Sequence, residues 1–372
     1  MVDKLPKVAH IIIGLNVGGA ELMLKRLVLN SHAKGKFKHE VISLTDLGVI
    51  GTDLKKVGIP VHTLNMKSVF SILKVYFSLK KILKQLKPDV VQTWMYHADF
   101  LGGLAAKKVG IKNIIWGIRT TDVAQGASRL TVALRNLCAK LSGLIPTKII
   151  CTAHAAKDLH EKIGYDGTKM VVIPNGFELD KLTATEEDRK LLRKELDLLD
   201  TDIVIGSVGR FNEVKNQKLF VEMAATLITD FPSLKFMMVG RDNDENNPTL
   251  MGWLQEYGLV KNFRLLGQRS DVYKCLKSFD IFCLHSKTEG FPNVLGEAMA
   301  VGTIAVSTNV GDVSYLIEEK FIGTNKKEIE EIIVDIINNK IDIEKSKLRN
   351  KKIISDIYDM EKIVLNFESY YV

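Results

Sequence analysis

Short apolar runs of strand type recur along this chain, each followed by enough sequence for a helix, and that alternation leaves few folds open. Val8 to Ile13, Glu40 to Leu44, Pro60 to Leu64, Val90 to Trp94, Asn113 to Ile118 and Thr147 to Thr152 form a first series. Val171 to Asp180 closes it, because Pro174-Asn175-Gly176 is turn chemistry and a charged helical stretch, Thr185 to Leu196, follows. A second series runs through Asp202 to Gly209, Leu234 to Val239, Phe263 to Leu266, Phe279 to Leu284 and Thr303 to Val306. Strands separated by helices pair in parallel, so each series predicts a doubly wound sheet. The 372 residues exceed what one core ordinarily supports. The expectation is an α/β chain of two Rossmann-like parallel-sheet domains facing a cleft, residues 1–175 and 176–372, with the last helix packing back on the first domain.

In such sheets ligands bind where strands end, so the residues leaving those ends carry the functional reading. The first strand runs into Gly14 to Glu21, whose Gly18-Gly19 pair either makes a tight turn or lets backbone approach a ligand at a helix start. It is one glycine short of a dinucleotide fingerprint. Trp94, Tyr96 and His97 follow the fourth strand, and Arg119, Thr120, Thr121 and Asp122 the fifth; His97 reads equally as a capping or surface histidine. Gly209 to Gln217 places Arg210 and Lys215 at a strand end, and two cations suit a diphosphate leaving group.

The densest chemistry lies in Thr288 to Val301. Pro292 stands at a helix start, where its missing N–H costs nothing, and the amides of Asn293, Val294 and Leu295 offer an anion site. Glu289 and Glu297 bracket that site. Alone, the two glutamates read as surface charges; beside anion-binding amides they suit a sugar joined to phosphate.

Charge is unevenly spread. Residues 1–175 hold 26 Lys and Arg against 11 Asp and Glu, and the remainder 26 against 33. A basic half predicts an extended anionic partner, nucleic acid or membrane. Lys67 to Lys87 carries six lysines and no acid in an apolar helical pattern, which reads as a sheet-covering helix whose lysine margin meets an anionic bilayer. Its lysines alternate with apolar residues and not with an exposed stacking platform, which argues against nucleic acid. No apolar run is long enough to cross a bilayer and the N-terminus enters a strand without a signal-peptide pattern, so a cytoplasmic, soluble or peripheral protein is expected. Cys138, Cys151, Cys275 and Cys283 lack metal-type or disulfide-type spacing and are expected to be reduced core residues.

Four motifs in order, Gly18-Gly19-Ala20-Glu21, Ile173-Pro174-Asn175-Gly176, Gly209-Arg210 with Lys215-Asn216-Gln217, and Glu289 with Glu297, resemble the retaining glycosyltransferases of the group 1 family with the GT-B fold. The resemblance spans nearly the whole chain and is weakest after Leu316. It implies that Arg210 and Lys215 bind a donor diphosphate together with amides of Gly18, Gly19 and Asn293 to Leu295, beside Gly209. It further implies that Glu297 holds the ribose, that Glu289 and the Phe291 amide read the sugar, and that the base lies near Gln268 and Arg269. His97, with Trp94, Tyr96 and Arg119, would serve the acceptor.

The implied reaction moves a hexose or N-acetylhexosamine from a UDP-linked donor to a lipid-linked or lipopolysaccharide acceptor of bacterial surface glycan synthesis, on the inner face of the plasma membrane. No metal and no cofactor is expected: Asp242-Asn243-Asp244 reads as a solvated loop. Gly311-Asp312 stands where the family usually has Gly-Gly, and Glu318 to Gly323 replaces a glycine-rich segment. The rivals are a nucleotide-sugar epimerase or phosphorylase and, outside enzymes, a basic membrane-binding or nucleic-acid-binding protein.

Overall fold

Every strand of the first series forms, and a seventh joins them. β1 (Lys7–Ile12), β2 (Lys38–Ser43), β3 (Val61–Thr63), β4 (Val90–Trp94), β5 (Asn113–Ile118), β6 (Lys148–Cys151) and β7 (Met170–Val172) build one parallel sheet in the order β3-β2-β1-β4-β5-β6-β7. The computed structural model describes residues 5–121 and 128–372; Asp122 lies outside the described residues. All five residues of β4 are buried, as are the last five of β1, the burial of a sheet covered on both faces. Strand order reverses between β1 and β4, so the loops leaving these two strands flank the crevice where ligands of such sheets bind.

The chain divides into two compact units, residues 1–176 with 360–372, and residues 177–359. In the first unit the helix Met360–Glu368 packs on the helix Gly19–Ala33, and Met360, Ile363, Val364, Phe367 and Tyr371 enter the same core as Val8, Ile12 and Trp94. A polar chain runs through that core. His10 Nε2 lies 3.0 Å from His39 Nδ1, His39 Nε2 lies 2.9 Å from Ser31 Oγ, and Ser31 Oγ donates to Glu368 Oε1 at 2.7 Å. Burial holds His10 well below the usual histidine range and His39 at about 4, so both rings are neutral at pH 7.

The helix Ile72–Leu86 follows from the lysine-rich stretch. Val75, Leu79 and Leu83, four residues apart, are its buried stripe. Its outer side holds lysines and, beyond the expectation, a second apolar row: Phe70 just before the helix, Leu73 and Phe77 are 95%, 71% and 62% exposed. Among the described residues no helix is long and apolar enough to cross a membrane.

The second unit repeats the plan with β8 (Val204–Val208), β9 (Lys235–Val239), β10 (Phe263–Leu265), β11 (Ile281–Leu284), β12 (Ile304–Thr308) and β13 (Ile322–Gly323) in the parallel order β10-β9-β8-β11-β12-β13. Its reversal falls between β8 and β11. At the opposite end of β11, Asp280 accepts from Arg189 Nη2 at 2.7 Å, Arg193 Nη2 at 2.6 Å and the Val204 amide at 2.7 Å. The Arg193 side chain is buried and donates further to the carbonyls of Ser278, Leu199 and Asp202, the multiple pairing that a buried charge requires. All four cysteines are free and buried, and burial pushes the thiols of Cys151, Cys275 and Cys283 up to about 12, which leaves them protonated.

Candidate functional site

In the second unit the loops from β8 and β11 bring together Lys215 and Glu289, whose Nζ and Oε1 lie 2.6 Å apart. Ser286 Oγ donates to the same oxygen at 2.6 Å. The β8 loop is braced by Gln217, a buried amide that donates to the Arg210 carbonyl at 2.8 Å and accepts from the Asn212 amide at 3.3 Å. The Lys287 amide donates to the Val214 carbonyl at 2.8 Å, tying the two loops to each other. Arg210 is exposed beside this brace. The result is a cation and a carboxylate held at the switch point on a fixed backbone.

Two glycines are needed here for steric reasons. Gly311 has φ 53°, and a Cβ would overlap the carbonyl oxygens of Gly290 and Glu289; the Asp312 amide donates to that Gly290 carbonyl at 3.1 Å. Gly240 has φ 134° and packs on the Gly209 carbonyl, which also accepts from Asn243 Nδ2 at 2.5 Å. Gly209 itself commits its amide to the Val239 carbonyl at 2.8 Å. Behind Lys215, Ser207 Oγ and His285 Nε2 lie 2.6 Å apart, and burial lowers His285 to about 4.

The helix expected at Pro292 spans Asn293–Val301, with Pro292 as N-cap and not as first helical residue. One part of the expected anion site needs correction. The Leu295 amide donates to the Pro292 carbonyl at 3.1 Å, so it is taken up within the helix, while the amides of Asn293 and Val294 lie in its first turn. Glu297 is half-buried one turn further on. Phe291 is a core ring, 6.1 Å from Phe177 and 5.3 Å from Tyr358 between centroids. Gln268 is exposed. The Arg269 guanidinium is engaged by both carboxylate oxygens of Asp271 at 2.8 Å and by Glu195 at 3.2 Å. In the neighbouring loop Asp242 lies 3.6 Å from Arg241, and Asp244 Oδ1 accepts from the Asn246 amide at 2.9 Å.

In the first unit the expected acceptor residues separate. Trp94 and Tyr96 are buried packing residues, which corrects the expectation that they line the acceptor side. Trp94 stacks on Phe367 at 6.2 Å and points its Nε1 at His10, and Tyr96 OH lies 2.8 Å from His160 Nε2. Arg119 is half-buried, 5.4 Å from the Trp94 ring and hydrogen-bonded through Nη2 to Asn175 Oδ1. His97 is half-buried, and that burial lowers its pKa. It sits in the first turn of the helix Tyr96–Lys108, which starts at once after β4 because Met95 takes φ 73°, a backbone region L residues rarely occupy. Sequence reading did not mark Met95; a methionine gives no signal for it. At β1 the helix Gly19–Ala33 begins with an exposed Gly19 at its first position, capped by Gly18 in extended conformation, and nothing lies within 4 Å of where a Gly19 Cβ would stand.

Comparisons with known proteins bear on the family and the fold. The model for Glycosyltransferase Family 4 matches residues 17–181 and that for Glycosyl transferases group 1 matches residues 188–353. A UDP-Gal:alpha-D-GlcNAc-diphosphoundecaprenol alpha-1,3-galactosyltransferase of Escherichia coli is 29% identical over 69% of this chain and 67% of its own. An N,N'-diacetylbacillosaminyl-diphospho-undecaprenol alpha-1,3-N-acetylgalactosaminyltransferase of Campylobacter jejuni is 31% identical over 64% and 63%. Among solved structures, HepE of Anabaena in complex with UDP superposes with a TM-score of 0.86 at 19% identity, over 98% of both chains. Two parallel-sheet units with their loop chemistry at the switch points, and two family models that meet end to end along the sequence, lead to one conclusion: the chain belongs to the group 1, family 4 glycosyltransferases and has the GT-B fold.

Proposed function

We propose that the protein is a retaining glycosyltransferase that moves a hexose or N-acetylhexosamine from a UDP-sugar to a lipid-diphosphate-linked saccharide in bacterial surface glycan synthesis. The observation that carries the reading is the braced Lys215 and Glu289 pair at the β8/β11 switch point, beside the first turn of the helix Asn293–Val301. A diphosphate needs cations and amides, and a sugar needs a fixed acceptor of hydroxyl hydrogen bonds; the pair supplies one of each. The E. coli and C. jejuni relatives act on undecaprenyl-diphosphate-linked sugars, and HepE binds UDP, which supports the same substrate classes here.

In this reading Arg210 and Lys215 neutralise the leaving diphosphate without a metal ion, helped by the amides of Asn293 and Val294. Glu297 holds the ribose, Glu289 and the Phe291 amide read the sugar, and the backbone at Gln268 and Arg269 meets the base. The bond from the sugar anomeric carbon to the diphosphate oxygen breaks and a bond from the acceptor oxygen forms on the same face. The acceptor proton passes to the departing phosphate oxygen, so no protein nucleophile is required. His97 positions the acceptor hydroxyl. The lysines and outward Phe70, Leu73 and Phe77 of the Ile72–Leu86 region hold the enzyme on the inner face of an anionic membrane.

The test is a panel of UDP- and GDP-sugars against saccharide-diphosphate lipids, with nucleotide release as the readout and proton NMR of the new linkage. One UDP-sugar is expected to be consumed only with acceptor, in the presence of EDTA, giving a product of the donor's anomeric configuration. Release from no donor with any acceptor, or consumption independent of acceptor as an epimerase would show, would sink the proposal.

A further inference from the structure

Beside His97 lies a cavity that the donor chemistry does not use. Its volume is about 280 Å³, at the small end of the ~300–1,000 Å³ common for ligand pockets. Ile13 from the end of β1, Ile72, Phe100, Leu101, Leu130 and Leu134 line it, and its polar lining is confined to Lys67, Ser68 and His97. All of these belong to the first unit. The apolar surface continues outward, because Leu130 on its wall is 57% exposed and Phe70 and Leu73 flank Ile72 with most of their area in solvent. No acid occurs between Lys67 and Lys87.

We propose that this cavity takes the first isoprene units of a polyprenyl diphosphate acceptor, whose diphosphate meets Lys67 at the rim. The inference rests on the glycosyltransferase reading above for the identity of the acceptor, and three features point to this occupant. A pocket of this volume holds a short branched hydrocarbon segment and not a whole carrier chain or acyl tail. The cation at the rim is complementary to a diphosphate at the head of that chain. His97, at the carboxyl end of β4, places the cavity beside the acceptor hydroxyl, while the outer row of Phe70, Leu73 and Phe77 lets the rest of the chain stay in the bilayer. Burying apolar area makes the chain, as well as the sugar, a determinant of acceptor binding.

Photolabelling of the full-length protein with farnesyl diphosphate carrying a diazirine on its first isoprene unit tests this, with labelled peptides located by mass spectrometry. Label is expected in the peptides containing Met66 to Ile72, Phe100 and Leu101, or Leu130 to Leu134. It should be displaced at least tenfold better by farnesyl diphosphate than by inorganic diphosphate, and be lost in Leu130→Gln/Leu134→Gln. The single change Leu130→Gln, at an exposed position, serves if the double variant does not fold. In turnover, the wild type should show a KM at least tenfold lower for the prenylated acceptor than for the same sugar diphosphate with a methyl cap, and the variants should bring that ratio towards one. Label elsewhere, or equal displacement by inorganic diphosphate, overturns the proposal; so does equal displacement by phosphatidylglycerol vesicles, which identifies a bilayer-lipid site. Labelling does not require sugar transfer. A protein that labels as expected but transfers nothing breaks the enzymatic reading and leaves the pocket standing, whereas transfer with label elsewhere breaks only the pocket.

Discussion

The two switch points are built on the same strand order and present opposite chemistry. After β4 a single residue, Met95, precedes the next helix; after β11 eight residues, 285–292, precede Asn293. The short connection leaves no room to display polar groups: Trp94 and Tyr96 are drawn into the core, and the nearby carboxyl of Asp99 is buried. The long connection displays Ser286 and Glu289 against Lys215. Loop length, more than fold, thus decides whether a strand end displays a cation beside a carboxylate or an apolar wall.

The largest break of this contrast is expected from Lys215→Ala. Removing one preorganised contact to a leaving group typically costs ~10²-fold or more in rate, so kcat/KM should fall by at least that factor while the circular dichroism melt stays close to wild type. Near-normal turnover in a folded variant would remove the second unit's site from the mechanism. Ser286→Ala acts one step away, by releasing a hydrogen bond on Glu289 Oε1. A charged hydrogen bond is worth ~1.5–3 kcal/mol, and with Lys215 still in place a roughly tenfold loss is expected, mainly in donor KM; an effect confined to acceptor KM would contradict the assignment.

The smallest effect sharpens the other side. Burial pushes the Asp99 carboxyl up to about 8, and Thr93 Oγ1 at 2.5 Å and the Gly117 amide at 3.2 Å both donate to its Oδ1. A folded pKa raised above the ordinary 3.8 means that the native state keeps a proton which the unfolded chain gives up. The stability tied to it is full below about pH 4 and lost as pH rises through about 8. Asp99→Asn preserves an Oδ1 acceptor for both donors and removes this titration, so its melting temperature should fall less between pH 5 and pH 8.5 than that of the wild type. Parallel pH curves for the two proteins would show that Asp99 is charged in the native state.

The fold was legible because buried parallel strands leave an unbroken apolar signature: β1, β4 and β11 can be read directly from Val8 to Ile13, Val90 to Trp94 and Phe279 to Leu284. β13 has two residues and no pattern of its own. In the second unit Lys215, Glu289 and the helix start were marked by charge beside turn chemistry. Gly240 acts through a distant partner, the Gly209 carbonyl, while Ser286 and Gln217 reach Glu289 and the Arg210 carbonyl within their own loops, contacts that irregular loop backbone sets and no helix or strand period encodes. The acceptor side was misread at Trp94 and Tyr96 because a polar-tipped aromatic at a strand end looks the same whether its tip meets a ligand or, as here, a histidine of the core.

The return of residues 360–372 to the first unit reverses the usual order of assembly. During synthesis the strands of that unit emerge first, yet Ser31 and the core around Ile12 and Trp94 lack Glu368 and Phe367 until the entire second unit has been made. The first unit to be translated is therefore the last to be completed, and a truncation near Met360 would be felt not where the chain is cut but at its beginning.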